Sequence, residues 1–356
     1  MAVVLPIALS GGVDSSYSFS KSSHHSHAGH KNVANVDVSS IDMINKKIGW
    51  MTTPDAVFHT INGGASWINV SPHDISTWNM IAAECINAQS AWIAMSTNGA
   101  VIQIFHTHNG GRTWMKNQFQ YVQFLNIHFI NENTGWLTLL RGAEMMHESI
   151  EILKTKNGGI YWSQAAKTSQ NNRPGRIPFA GDKTGSYFLN SRIGWVTGYT
   201  PEDGVLYLYR TVDRGLIWNI QDIKVPRLYS MDQFISYPPK FFSKQNGILP
   251  VLANNTALLF YRTKNSGASW EPTKSITMGS SQVVWDFVDA RFGLVTNNKG
   301  IFETMDGGQS WSKITSNISF GSVKQLDFIS HQEGWAVMMN GKLYKTTDGG
   351  RFWVRV

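Results

Sequence analysis

Apolar residues in this chain come in short runs separated by turns rich in Gly, Asn and charge, and no stretch keeps a helical period. Segments such as 126–130, 135–140, 341–346 and 66–70 read as strands, in which successive side chains face opposite sides. The strands recur in a fixed order. A first strand leads through a charged turn to a second that opens on Gly-Trp. A third strand then runs into an eight-residue loop, and a fourth begins at that loop's closing Trp. The loop at 304–311 reads Thr-Met-Asp-Gly-Gly-Gln-Ser-Trp, and related octets occupy 60–67, 107–114, 155–162, 211–218, 263–270 and 346–353. Every copy starts with Thr, has Asp or Asn third and Gly fifth, and ends in Trp. The closing Trp residues are 47, 48, 56, 52, 41 and 42 positions apart, about the length of one four-stranded propeller blade. The expected fold is all-β: a seven-bladed β-propeller of four-stranded antiparallel blades spanning 33–356.

The octet makes chemical sense as a hairpin loop. The third residues, Asn62, Asn109, Asn157, Asp213, Asn265, Asp306 and Asp348, can fold a side-chain oxygen back onto backbone N–H groups. The Gly that follows supplies a positive φ, and Trp roofs the loop with apolar surface. The pattern resembles the Asp-box, or BNR, repeat of sialidases, xyloglucanases, sortilin-type receptors and the photosystem II assembly/stability factors of plants and cyanobacteria. Several copies depart from it. Ile217, Tyr161 and Phe352 replace the hydroxyl before Trp, and Arg214 and Ser266 replace the first Gly. Blade count and repeat length look most like the photosystem II assembly factors. That resemblance implies a non-catalytic extracytoplasmic scaffold that binds partner proteins, with the octets structural and peripheral.

Composition sharpens this picture in three places. Of the 14 Trp, all but Trp78 and Trp285 fall in the octet column or the Gly-Trp column, so aromatic content reflects the scaffold before it suggests a sugar platform. The single Cys85 excludes an intramolecular disulfide and reads as a buried, inert thiol in an apolar strand. A net charge of +7, spread without long basic runs, favours an anionic partner, such as a membrane or cell-envelope surface, over nucleic acid.

Residues 1–10 read as the remnant of a signal-like apolar segment, too short to span a bilayer. Residues 11–32, rich in Ser and His, read as a flexible tether. Its His24, His25, His27 and His30 have metal-ligating chemistry, but nothing nearby would preorganise them, so no metal and no cofactor is expected. Closure of the ring calls for residues 35–38 to latch the last blade to the first.

Candidate chemistry lies in one column of the first strands: Asp42, Glu84, His128, Tyr187, Lys240, Asp286 and Asp327. Its neighbour, Met43, Cys85, Phe129, Phe188, Phe241, Phe287 and Phe328, should pack between blades. The ionisable column should converge on a central channel, either as hydrated ion pairs or as a ligand pocket with an acid/base pair such as Asp286 and Asp327. Two long inserts carry Arg173, Arg176 and Lys183, then Lys224, Arg227, Tyr229 and Tyr237, and on one face they would form a basic, tyrosine-bearing lip. A sialidase is disfavoured because Arg176-Ile177-Pro178 lies between the third and fourth octets, not ahead of the first. The expectation is a monomeric, exported binding scaffold for a protein or anionic envelope partner, with peripheral membrane association in reach. The alternative is a carbohydrate-active propeller, a glycoside hydrolase or glycan binder, using channel carboxylates.

Overall fold

The computed structural model describes residues 18–22, 30–31, 36–73, 79–97, 101–120, 122–145, 147–169, 173–278, 284–297 and 300–356. The protein is all-β there, broken only by short 3-10 turns such as Arg227–Tyr229 and Phe320–Ser322. The last repeat shows the plan: Val323–Phe328, Gly334–Met338, Leu343–Thr346 and Trp353–Arg355 form one antiparallel four-stranded meander. Residues 284–314 repeat it with Val284–Phe287, Gly293–Asn297, Gly300–Thr304 and Ser312–Ile314.

The first three sheets each gain a fifth strand on the outer edge. In the third sheet this strand is Ile177–Pro178, which pairs parallel to Thr168 and Ser169. In the first and second sheets it comes from segment 11–32, expected as a tether. His30–Lys31 pairs with Ile68 and Trp67, and Ser18–Ser22 pairs along 114–118. Segment 1–10, with His24, His25 and His27, lies outside the described residues.

Where seven separate sheets are expected, the described strands group into six. The fourth and fifth repeats share a ten-stranded sheet because Phe234–Ser236, from the insert between them, lies across both. It pairs Ile235 with Tyr199 on one side and with Leu252 on the other.

The core lies between the sheets, in apolar clusters that each draw on two consecutive repeats. One further cluster joins Val38, Ile41 and Met51 of the first repeat to Trp335, Val337 and Leu343 of the last. The expected latch is visible within 36–38, where the Val38 N–H donates to the Gly341 carbonyl at 2.9 Å. Where the column carries Phe, the interface is built on an aromatic sandwich. Phe129 stacks on Trp92 of the preceding sheet, ring centroids 3.6 Å apart, and takes the edge of its own octet's Trp162 at 6.0 Å. Phe188 sits likewise between Trp136 and Trp218.

The Gly of the Gly-Trp pairs is a consequence of the bulky side chain opposite it, Phe in most repeats and Met43 in the first. Phe129 is in register with Gly135, and a Cβ there would lie 2.4 Å from the Phe129 ring. In the second repeat Cys85 replaces Phe, and its partner is Ala91. The smaller side chain leaves room for the extra methyl. Cys85 is buried, and burial first, then the carboxylates of Asp42, Glu84 and Asp327, pushes its thiol pKa up.

Candidate functional site

Seven ionisable side chains from the first strands come together, and their hydrogen bonds explain why each repeat carries one. The first strand is the inner edge of its sheet, so its outward N–H groups lack ladder partners. The preceding repeat supplies them. Glu84 Oε1 accepts the Phe129 N–H at 3.2 Å, Asp286 Oδ2 the Phe328 N–H at 2.7 Å, and Asp327 Oδ2 the Met43 N–H at 2.6 Å. Asp42 accepts the Cys85 N–H, and the Tyr187 hydroxyl bonds the Phe241 backbone. His128 Nε2 meets the Phe188 carbonyl at 3.1 Å, while Lys240 donates directly to Asp286 Oδ1 at 2.7 Å. Each contact reaches into the following repeat, and the last, Asp327 to Met43, returns to the first.

The electrostatics follow from this convergence. Burial, then the charge of Glu84, raises Asp42 to about 7, against the Cys85 N–H and Lys240. Burial together with Asp42 and Asp286 raises Asp327 as well. Asp42 thus senses Lys240 and Asp286 across the ring. Asp42 and Asp327 are both half-buried. The expected pairing of Lys240 with an acidic neighbour is present. His128 adds a contact to Glu84 at 3.3 Å and stacks on Tyr187.

Two members of this clasp escape a search for ionisable groups. Asn126 Nδ2 donates to the Ser186 carbonyl at 2.7 Å, and its Oδ1 accepts the Ser186 N–H at 2.9 Å. Gln325 does the same for Ile41, with Oε1 accepting at 3.0 Å and Nε2 donating at 2.7 Å. A primary amide can donate and accept at once, so it satisfies both edge groups of one residue.

A second unread column precedes each octet Thr. Lys154 lies over Trp136 at 4.9 Å, Arg210 over Trp195 at 5.8 Å and Lys345 over Trp335 at 4.7 Å, and His59 packs on Trp50 at 4.5 Å. Where the indole is missing, at Ile248 and Leu294, the facing residue turns to the next octet instead. Arg262 donates to the Asp306 carbonyl at 2.8 Å, and Glu303 pairs with Arg351 at 2.9 Å.

The octets adopt one geometry. In the first, Thr60 Oγ1 donates to Asn62 Oδ1 and accepts the Gly64 N–H, while Asn62 Oδ1 also accepts the Ser66 N–H. Asn109, Asn157, Asp213, Asn265, Asp306 and Asp348 repeat these bonds. Slight burial notwithstanding, the Ser310 hydroxyl and N–H and the Thr304 hydroxyl hold Asp306 down at about 2. Six closing indoles are buried. Trp311 is half-buried, its Nε1 donating to the Lys274 carbonyl at 3.2 Å. Each octet also docks on its own first turn, as in Gly63 N–H to the Lys47 carbonyl at 2.8 Å.

The inserts do not build one lip. Arg176 lies against the fourth octet, donating to the Leu216 carbonyl at 3.4 Å, near exposed Arg173. Arg227 opens a turn beside Gly204, which joins second strand to third, so it sits at the opposite end of the antiparallel sheet. Tyr229 is spent on Ser275 Oγ at 2.7 Å. Lys183 is buried, its Nζ donating to the carbonyls of Phe179, Ala180 and Gly181 at 2.8, 3.0 and 2.6 Å. Burial lowers it to about 7, against the pull of Glu148 and Asp182. Among the described residues, no group of three or more His, Cys, Asp or Glu is placed to hold a metal ion.

Sheets of this plan, each with an octet loop between its third and fourth strands and the last packed on the first, define a β-propeller whose octets resemble the BNR repeat. A family model described as photosynthesis system II assembly factor YCF48 matches residues 263–356. Among solved structures, YCF48 bound to a D1 peptide is similar with TM-score 0.55 and 15% identity over 96% of this chain and 98% of that one. YCF48 from Cyanidioschyzon merolae gives 0.53 and 14%, over 88% and 94%. The GH74 enzyme of Niastella koreensis gives 0.58 and 13% over 89% of this chain, which spans 53% of that one. No curated protein sequence matches the chain.

Proposed function

We propose that this protein is a seven-bladed propeller, its ten-stranded sheet being two blades bridged by Phe234–Ser236, and that it is a non-catalytic extracytoplasmic scaffold for assembling a protein partner. The octets act as Asp boxes, structural staples on the periphery. The observation that carries this reading is the occupation of Asp42, Glu84, Asp286 and Asp327. The carboxylates a hydrolase would deploy as acid and base instead accept N–H groups of the next sheet. The fold similarity to YCF48 bound to a D1 peptide supports a polypeptide as the partner. The face bearing Arg227 suits such a contact, since Leu228 and Met231 beside it are exposed.

A carbohydrate-active propeller is the second reading, favoured by one observation: Asp42 and Asp327 are both raised, so carboxyls that hold their protons more tightly than usual stand near the Asp286 carboxyl that Lys240 contacts. Incubation with a polysaccharide panel separates the two. The scaffold reading expects no hydrolysis, and in-cell cross-linking should recover a membrane-complex subunit joined to the Arg227 loop. Hydrolysis lost in Asp286→Asn or Asp327→Asn variants that still fold would overturn it.

A further inference from the structure

The fourth octet departs from the others in a way its loop does not require. The six other octets fill positions two, six and seven with at most two large apolar residues, and the first and fifth close on Ala-Ser. The fourth has Val212, Leu216 and Ile217, which are 50%, 64% and 51% exposed. The loop uses only the backbone there: the N–H groups of Leu216 and Ile217 donate to Asp213 Oδ1. These side chains therefore contribute nothing to closing the turn, and they stand in water at the rim.

Two guanidinium groups flank them. Arg214 holds the left-handed position, φ 77°, that Gly fills in five other octets. Arg176 reaches the same loop through the Leu216 carbonyl. Burial lowers Lys154, and the nearby charges of Lys156 and Arg214 lower it further, which places those two cations beside it. The one carboxylate of the loop, Asp213, faces inward onto its own amides and Thr211. A protruding apolar tip flanked by the Arg214 and Arg176 guanidinium groups, with Lys154 and Lys156 adding positive charge near Arg214, fits the boundary between headgroups and acyl chains of an anionic bilayer. A protein groove would need a matching cleft and carboxylates.

We infer that the rim at the fourth octet docks this protein peripherally on an anionic membrane, with Val212, Leu216 and Ile217 entering the interface and Arg214 and Arg176 meeting lipid phosphates. This inference stands without the scaffold reading.

The test is flotation of the full chain with vesicles of phosphatidylcholine alone or phosphatidylcholine and phosphatidylglycerol at 3:1. Binding is expected only to the anionic vesicles and should weaken as salt rises. Leu216→Ala with Ile217→Ser, restoring the Ala-Ser of the first octet, should cut the partition coefficient by about tenfold. Arg214→Gly should cut it by about fivefold, with the fold retained because Gly suits that backbone. Three results would overturn the inference: no flotation, equal flotation with neutral vesicles, or unchanged partition of both variants while both remain folded by circular dichroism. Capture of a protein by this rim in place of vesicles would also overturn it.

Discussion

Gly135→Ala places a methyl group inside the sandwich that holds the second and third sheets together. The new Cβ would sit 2.4, 2.5 and 2.6 Å from three carbons of the Phe129 ring, whereas 3.4 Å is ordinary contact. The ring would have to retreat by about 1 Å, yet Trp92 stacks on it at 3.6 Å and Trp162 closes its edge. Overpacking of that kind costs about 1–3 kcal/mol. The second repeat shows the relief, since Cys85 stands opposite Ala91. Phe129→Cys alone should cost about 2–4 kcal/mol through the lost aromatic volume. Adding Gly135→Ala to it should cost little or restore some stability, because the methyl then fills space. A double-mutant cycle by urea unfolding at constant m-value should give a coupling of about 1–3 kcal/mol. Equal cost of Gly135→Ala in both backgrounds would refute the claim that Phe129 dictates the Gly.

Three other outcomes follow from particular residues. Arg214→Gly should raise stability by about 0.5–1 kcal/mol by relieving its positive φ. Ser266→Gly should gain less, because the Ser266 hydroxyl bonds the Lys244 carbonyl at 2.7 Å; chemical denaturation reads both. Asp42 binds its proton more tightly folded than unfolded, since burial raises it to about 7. Its contribution is therefore full below about pH 4 and is lost as pH rises through about 7. Asp42→Asn should flatten the stability-pH profile across that window, and an unchanged slope would show that Asp42 does not carry it.

Much of this architecture is legible in the sequence because the octet is a local device. Thr, Asx and Gly close the loop through bonds within eight residues, so spacing alone reveals them. The aromatic column is legible too, as a period-2 partner of the ionisable one. What the ionisable column does is not legible. Met43 and Asp327 are 284 positions apart, and only the ring brings a carboxylate to that edge amide. Asn126 and Gln325 look like ordinary polar strand residues until their neighbours' edges are in place. The cations over the Gly-Trp indoles sit one residue ahead of an obvious motif, but the register that faces Lys154 to Trp136 is set by the hairpin. The placement of Arg176 and Arg227 at opposite ends of the sheets follows from strand direction, which loop length does not disclose.

Amide exchange at the ring seam tests the central claim most directly, namely that the ionisable column holds consecutive sheets together and closes the last onto the first. In an NMR comparison of the parent with Asp327→Ala, the account predicts a selective loss of protection at the Met43 amide while the Phe328 and Phe129 amides stay slow. Asp286→Ala should transfer the loss to Phe328. If the Met43 amide exchanges equally slowly with and without the Asp327 carboxylate, that side chain does not close the ring.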